Sequence, residues 1–172
     1  MQARLAFKIL SLLAMLCGEC AAQCGPISRE SPDAVRTEVR RIFNRSLDAM
    51  QVVTTSGVRA TTWVPPDEQD VAQIKCLGAS ALPAVTEQLN SNRSFGQLLA
   101  IRMLGWIGGR EIVPPLARLL KSSHSQTLKV AALEALYSAP PAEAMPVLQN
   151  TLKSDANAYV RKKAAEIISR YG

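Results

Sequence analysis

Leu82-Pro83-Ala84-Val85-Thr86-Glu87-Gln88-Leu89, Val113-Pro114-Pro115-Leu116-Ala117-Arg118-Leu119-Leu120 and Met145-Pro146-Val147-Leu148-Gln149-Asn150-Thr151-Leu152 are three versions of one phrase. Pro83, Pro114 and Pro146 stand 31 and then 32 residues apart, and each opens an apolar run that closes on leucine. A fixed period in this range is the signature of one supersecondary unit copied along the chain. The phrase therefore decides the fold class before any single element is assigned.

A second phrase alternates with the first. Gly96–Gly105, Leu128–Tyr137 and Val160–Ser169 align at an offset of 32, with Ala100, Ala132 and Ala164 in phase and Leu104, Leu136 and Ile168 in phase. Good helix formers dominate, and the apolar positions recur at three and four rather than two, so the period is helical. The spacing predicts first helices over Ser94–Ile107, Ser125–Ala139 and Ala156–Tyr171, and second helices over Ser80–Asn90, Arg110–Lys121 and Pro141–Lys153. Ser94, Ser125 and either Asp155 or Asn157 are the expected caps, because a short polar side chain can accept a free amide hydrogen there. Gly108-Gly109 and Pro140-Pro141 break the chain between helices. A proline early in a helix is tolerated, since the first amides have no intrahelical partner; Pro114 and Pro146 sit slightly deeper and predict a bend.

The second helices carry an apolar stripe. Leu82, Val85 and Leu89 fall at i, i+3 and i+7; Val113, Leu116 and Leu120 repeat it, as do Met145, Leu148 and Leu152. One hairpin cannot bury such a stripe, so neighbouring hairpins must share it. The expected fold class is all-α: a short α-α solenoid of helical hairpins with the alanines at the close approaches. Three such pairs account for the repeats, and a further first helix follows before Gly172.

The segment from Leu152 through Asp155, Asn157, Val160-Arg161 and Ala164-Ala165 resembles the short HEAT repeat of the phycobilin-lyase type. That pattern runs leucine, aspartate, aspartate or asparagine, valine-arginine, then alanine-alanine. Leu104-Gly105-Trp106-Ile107-Gly108 resembles its helix ending, and Val113-Pro114-Pro115-Leu116 its second helix. The resemblance covers Asp67 to Gly172. It implies a helical hairpin array in which the arginine, here Arg161, braces the loop between helices. Leu128-Lys129 and Gly96-Gln97 stand at that place in the other copies. Tetratricopeptide and ankyrin signatures are absent.

Upstream the chain changes character. Arg4 and Lys8 precede the apolar Ile9–Leu16, and Cys20-Ala21-Ala22 offers small residues, which is the layout of a secretory signal peptide. The expected organisation is a signal peptide at 1–22, an N-terminal arm, capping helix and loop or hairpin at 23–66, and the repeat domain at 67–172. Cleavage after Ala22 exports the chain to a periplasmic or secreted location; lipidation at Cys17, Cys20 or Cys24 is the rival, since those cysteines lie close by. Cleavage leaves Cys24 and Cys76, which an oxidising compartment could join; Cys76 could equally be a small buried apolar residue. Ser31-Pro32 opens a capping helix, Pro32–Met50, with Val35, Val39, Ile42, Phe43 and Leu47 on one face. β-Branched residues on either side of Ser56-Gly57 predict a short hairpin or extended loop, after which Trp63 could pack on the first repeat.

Catalytic chemistry is sparse. His124 is the sole histidine, in a serine loop with no acidic neighbour that would make a relay. No C-x-x-C pair remains after cleavage at Ala22, and there is no His-Glu-x-x-His and no phosphate-cradling loop, so neither cofactor nor metal is expected. Asp67, Glu68 and Asp70 suit a helix N-terminus. The formal charge is +6, or +5 without Arg4, Lys8 and Glu19, and the basic residues are dispersed.

These readings favour a non-catalytic, exported scaffold that binds a protein or peptide. Aligning the prolines sets Glu87, Arg118 and Asn150 at one outward position and Asn90, Lys121 and Lys153 at another. A rigid frame displaying unlike polar residues is where specificity would be written. The alternatives are a lyase-type or accessory subunit of a chromophore or enzyme system, which the resemblance implies, and binding to an anionic polymer or nucleic acid, which the charge motivates but export disfavours. Membrane contact is expected only through the leader or a lipid.

Overall fold

The computed structural model describes residues 31–48, 51–55, 58–62 and 66–171. The 1–22 leader, Cys24, Met50, Ser56-Gly57 and Trp63 lie outside the described residues. Helix α1 spans Pro32–Asp48. Strands β1 (Gln51–Thr55) and β2 (Val58–Thr62) pair antiparallel with Val53 opposite Ala60, which makes the extended segment a hairpin. Helices α2 (Glu68–Leu77), α3 (Leu82–Gln88), α4 (Ser94–Ile107), α5 (Val113–Ser122), α6 (Gln126–Leu136), α7 (Pro141–Ser154) and α8 (Ala158–Ser169) follow.

Local chemistry explains the boundaries. The Gln69 amide donates to Asp67 Oδ1 at 3.0 Å, so α2 is capped from the residue before it. Ser125 Oγ accepts from Leu128 N, and Asn157 Oδ1 accepts from Tyr159 N at 2.9 Å. Asp155 stands one step further out, accepting from Asn157 N at 2.9 Å. Ser94 is not a cap. The N-cap of α4 is Arg93, and the preceding turn is held by Ser91 Oγ, which accepts from Arg93 N at 3.2 Å. Helices α3 and α5 are entered through 3-10 turns, Gly78–Ala81 and Arg110–Ile112, which place Pro83 and Pro114 in the first turn, where a missing amide costs nothing. Pro146 lies inside α7, which continues through it. Gly108 and Gly109 take φ of +66° and +81°, and the Gly109 amide donates to Ser138 O at 3.2 Å, joining two successive loops.

The helices form two layers. In one, α4 packs between α2 and α6, and α6 packs on α8. In the other, α5 packs on α7, and α1 packs on α3 at the start of the row. Across the layers the tightest pairs are α3 with α4, α5 with α6 and α7 with α8. This shifts the phase expected from the sequence. Each hairpin comprises a proline helix and the alanine helix after it, joined by the loops 89–93, 123–125 and 155–157. Helix α8 is thus the partner of α7, and α2 packs on α1.

The core is the seam between layers. Leu99, Leu104, Ile112, Leu116, Leu133, Leu136, Leu148 and Ile167 are fully buried, as are the in-phase Ala100, Ala132 and Ala164. Leu82, Leu89 and Leu152, at the ends of the stripe, are half-buried and pack on this seam. Ala135 lies 3.4 Å from the place a Cβ would take on Gly105, so α4 and α6 touch nearly backbone to backbone. Each large side chain withdrawn from water contributes about 1.5–3 kcal/mol.

Helix α1 closes one end. It buries Val35, Val39, Ile42 and Phe43 against the first repeat, as a solenoid end requires. Beside that apolar face, Arg45 makes a two-pronged ion pair with Asp70 of α2; its Nε donates to Oδ2 at 2.9 Å, and its terminal nitrogen reaches Oδ1. Asp70 stands in the first turn of α2, as expected, and is only 2% exposed, so it also serves as an internal clamp.

Two outcomes are expected. Leu116→Ala should cost about 2–5 kcal/mol in urea unfolding, and Leu116→Asp should lose the cooperative thermal transition. Arg45→Ala should destabilise by about 1–3 kcal/mol, more than Asp70→Asn, because it leaves a buried carboxylate with only the looser contact to Arg41 at 3.9 Å, whereas the asparagine leaves only a half-exposed guanidinium. The reverse order in urea titrations would contradict the clamp.

Candidate functional site: two grooves flanking helix α5

The exposed edge of the proline-helix layer carries two open grooves. One, of about 760 Å³, lies between α3 and α5, with Leu89, Pro115, Leu119 and Leu128 as apolar lining and Asn90, Arg118 and Lys121 among its polar residues. The other, of about 430 Å³, lies between α5 and α7, lined by Leu120, Val147, Lys121, Lys129, Asn150 and Asp155. Lys121 belongs to both, so one helix presents its cations to the pair.

The grooves follow from the period. Residues at i, i+3 and i+7 of each proline helix turn into the seam, leaving 90 and 121, or 118 and 150, on the outward rim of consecutive helices. Four of the six residues predicted to face a partner line the grooves: Asn90, Arg118, Lys121 and Asn150. Lys153 is exposed beside them and lines neither. Glu87 is exposed but engaged, 3.3 Å from Arg36 and 3.8 Å from Arg40 of α1. Among the described residues, Arg118, Lys121 and Lys153 make no ion pair, and the amides of Asn90 and Asn150 make no side-chain hydrogen bond.

The residue after the valine of the resembling motif sets the groove wall. Arg161 donates to Asp155 O at 2.8 Å and Ala156 O at 3.0 Å, bracing its own loop as the resemblance implies. Gln97 does the same more weakly, donating to Leu89 O at 3.1 Å. Lys129 departs from this. Its Nζ reaches across to Asp155 Oδ2 of the next hairpin at 2.6 Å, with the carboxylate side chain 5% exposed. A brace within one repeat has become a tie between two, and it forms a wall of the smaller groove. Burial pushes the Asp155 carboxyl up, but Lys129 and the Asn157 amide outweigh it and hold it below the ordinary 3.8. Sequence reasoning did not find this tie. The signal available was a lysine where the motif has arginine.

Other ties hold the far edge. Lys163 of α8 reaches Glu134 of α6 at 2.8 Å, which raises the lysine. The Tyr171 hydroxyl donates to Leu136 O at 3.0 Å, and its ring lies 5.2 Å from that of Tyr137. Burial, then Tyr137, raises the Tyr171 hydroxyl. Cys76 is disulfide-bonded, and the other three cysteines all lie outside the described residues. His124 is exposed in its loop. Among the described residues no His, Cys, Asp and Glu cluster could hold a metal ion, and no helix is long and apolar enough to cross a membrane.

A carboxylate lowered in the folded state stabilises fully above its ordinary value and loses that contribution as pH falls through the lowered one. Asp155→Asn should therefore cost about 1 kcal/mol at pH 7 and progressively less below pH 3.8. Urea midpoints of both proteins across that range measure the gap; a constant gap would remove the ion pair from the account.

Residues 75–169 match the HEAT repeats family, the last alanine helix included. No curated protein and no solved structure matches the chain. The match spans more than half of the sequence and coincides with the stacked hairpins from the end of α2 to the end of α8; the chain belongs to the HEAT-repeat family.

Proposed function

We propose that this chain is an exported, non-catalytic scaffold whose grooves beside α5 receive a segment of a partner protein. HEAT repeats commonly mediate protein–protein interaction, and a helical array suited to that role is what the fold provides. The observation that carries the reading is the row of side chains on the proline helices that the fold leaves unsatisfied: Asn90, Arg118, Lys121 and Asn150 border part-apolar grooves, and their side chains form no ion pair or hydrogen bond among the described residues. Other polar groups are tied together, as at Asp70, Asp155 and Lys163, while unpaired cations such as Lys75 and Lys162 stand on open helix surface and border neither groove. Amides and cations on a rigid rim, above apolar floor, offer orientation and burial together. The apolar leader and the disulfide at Cys76 support an oxidising, exported location.

A photo-crosslinking residue placed at Asn150 should capture one discrete partner in the native envelope, whereas the same residue at Lys162, on the opposite layer, should not. Equal yields from both positions would remove the groove from the function. Bound pigment in the purified protein would favour the lyase-type alternative instead.

A further inference from the structure

We infer that the partner segment is acidic and extended, a peptide bearing carboxylates that Arg118 and Lys121 engage. This rests on the groove reading above and deepens it. The balance of charge along the edge is one-sided. From α1 onward its exposed charged side chains include Arg36, Arg40, Glu87, Arg118, Lys121 and Lys153; of these the one carboxylate, Glu87, is shared by the first two arginines, and Glu111, at the entry to α5, is paired with Arg110. Asp155 is spent on Lys129. The edge therefore keeps an uncompensated positive field centred on α5, and opposite charge on the incoming segment is what such a field selects and steers.

Two features favour a peptide over an anionic polymer. The lining is part apolar, with Leu89, Pro115, Leu119 and Leu128 in the larger groove beside its polar rim, and a carboxylate-bearing chain with alternate apolar side chains would meet both. Asn90 and Asn150 each offer a donor and an acceptor, the pair that an extended main chain presents along its length. A phosphate or sulfate polymer draws chiefly on cations and leaves the apolar part of the lining uncovered.

The test uses the full mature chain and three probes: a fluorescent peptide alternating glutamate with leucine, the same peptide with glutamine for glutamate, and a sulfated polysaccharide. The expected result is saturable binding of the acidic peptide, little of the glutamine peptide, and an affinity roughly tenfold weaker in Arg118→Glu/Lys121→Glu. Lys75→Glu/Lys162→Glu, which changes the same charge at exposed, unpaired positions of the other layer, should bind as the wild type does. Circular dichroism and thermal melts confirm that both variants fold. Equal loss in the two variants would reduce the effect to net charge and overturn the inference. Stronger polysaccharide binding that collapses with salt would transfer the groove to anionic polymers. Tight binding of the glutamine peptide that Asn150→Ala weakens would keep the groove and discard the acidic partner.

Discussion

Everything in this molecule depends on the sharing of an apolar seam between two layers of short helices. No proline helix buries its own stripe: Leu116 and Leu148 vanish from solvent only because the alanine helices lie against them, and those lie close only because Ala100, Ala132 and Ala164 recur in phase. Stability is thus a sum of neighbour interfaces rather than a property of a single centre. The first interface is secured differently. Helix α1 supplies the apolar cover and the Arg45–Asp70 clamp adds a directional bond where regular packing begins.

The division of labour between polar groups is equally consistent. Those at loops and caps are consumed locally: Asp67, Ser125 and Asn157 on free amides, Arg161 on loop carbonyls. Those linking repeats, Lys129 with Asp155 and Lys163 with Glu134, add register to a stack that apolar contact alone would hold loosely. On α5 and its neighbours, Arg118, Lys121 and the amides of Asn90 and Asn150 are left unpaired along the two grooves.

The lysine at 129 illustrates how a repeat family diversifies without changing fold. An arginine there reaches its own loop, as Arg161 does; a lysine, with a single compact charge and no fork, reaches the next hairpin's carboxylate instead. The same position thereby shifts from shaping one loop to shaping the space between two, and that space is the smaller groove.

Period and composition alone determined the helical class, the bounds of α4, the buried alanines, the Ser125 cap and the outward rows at 87, 90, 118, 121, 150 and 153, because each follows from local geometry: where a helix turns, where a cap can form, which positions share a face. Pairing was decided only by the tertiary structure. The choice of which flanking helix each proline helix packs against tightly depends on loop length and interface area, which a repeat states identically in either phase. The fates of Glu87, Asp70 and Asp155 were likewise invisible, because their partners Arg36, Arg45 and Lys129 lie 51, 25 and 26 residues away and meet them only once the layers close.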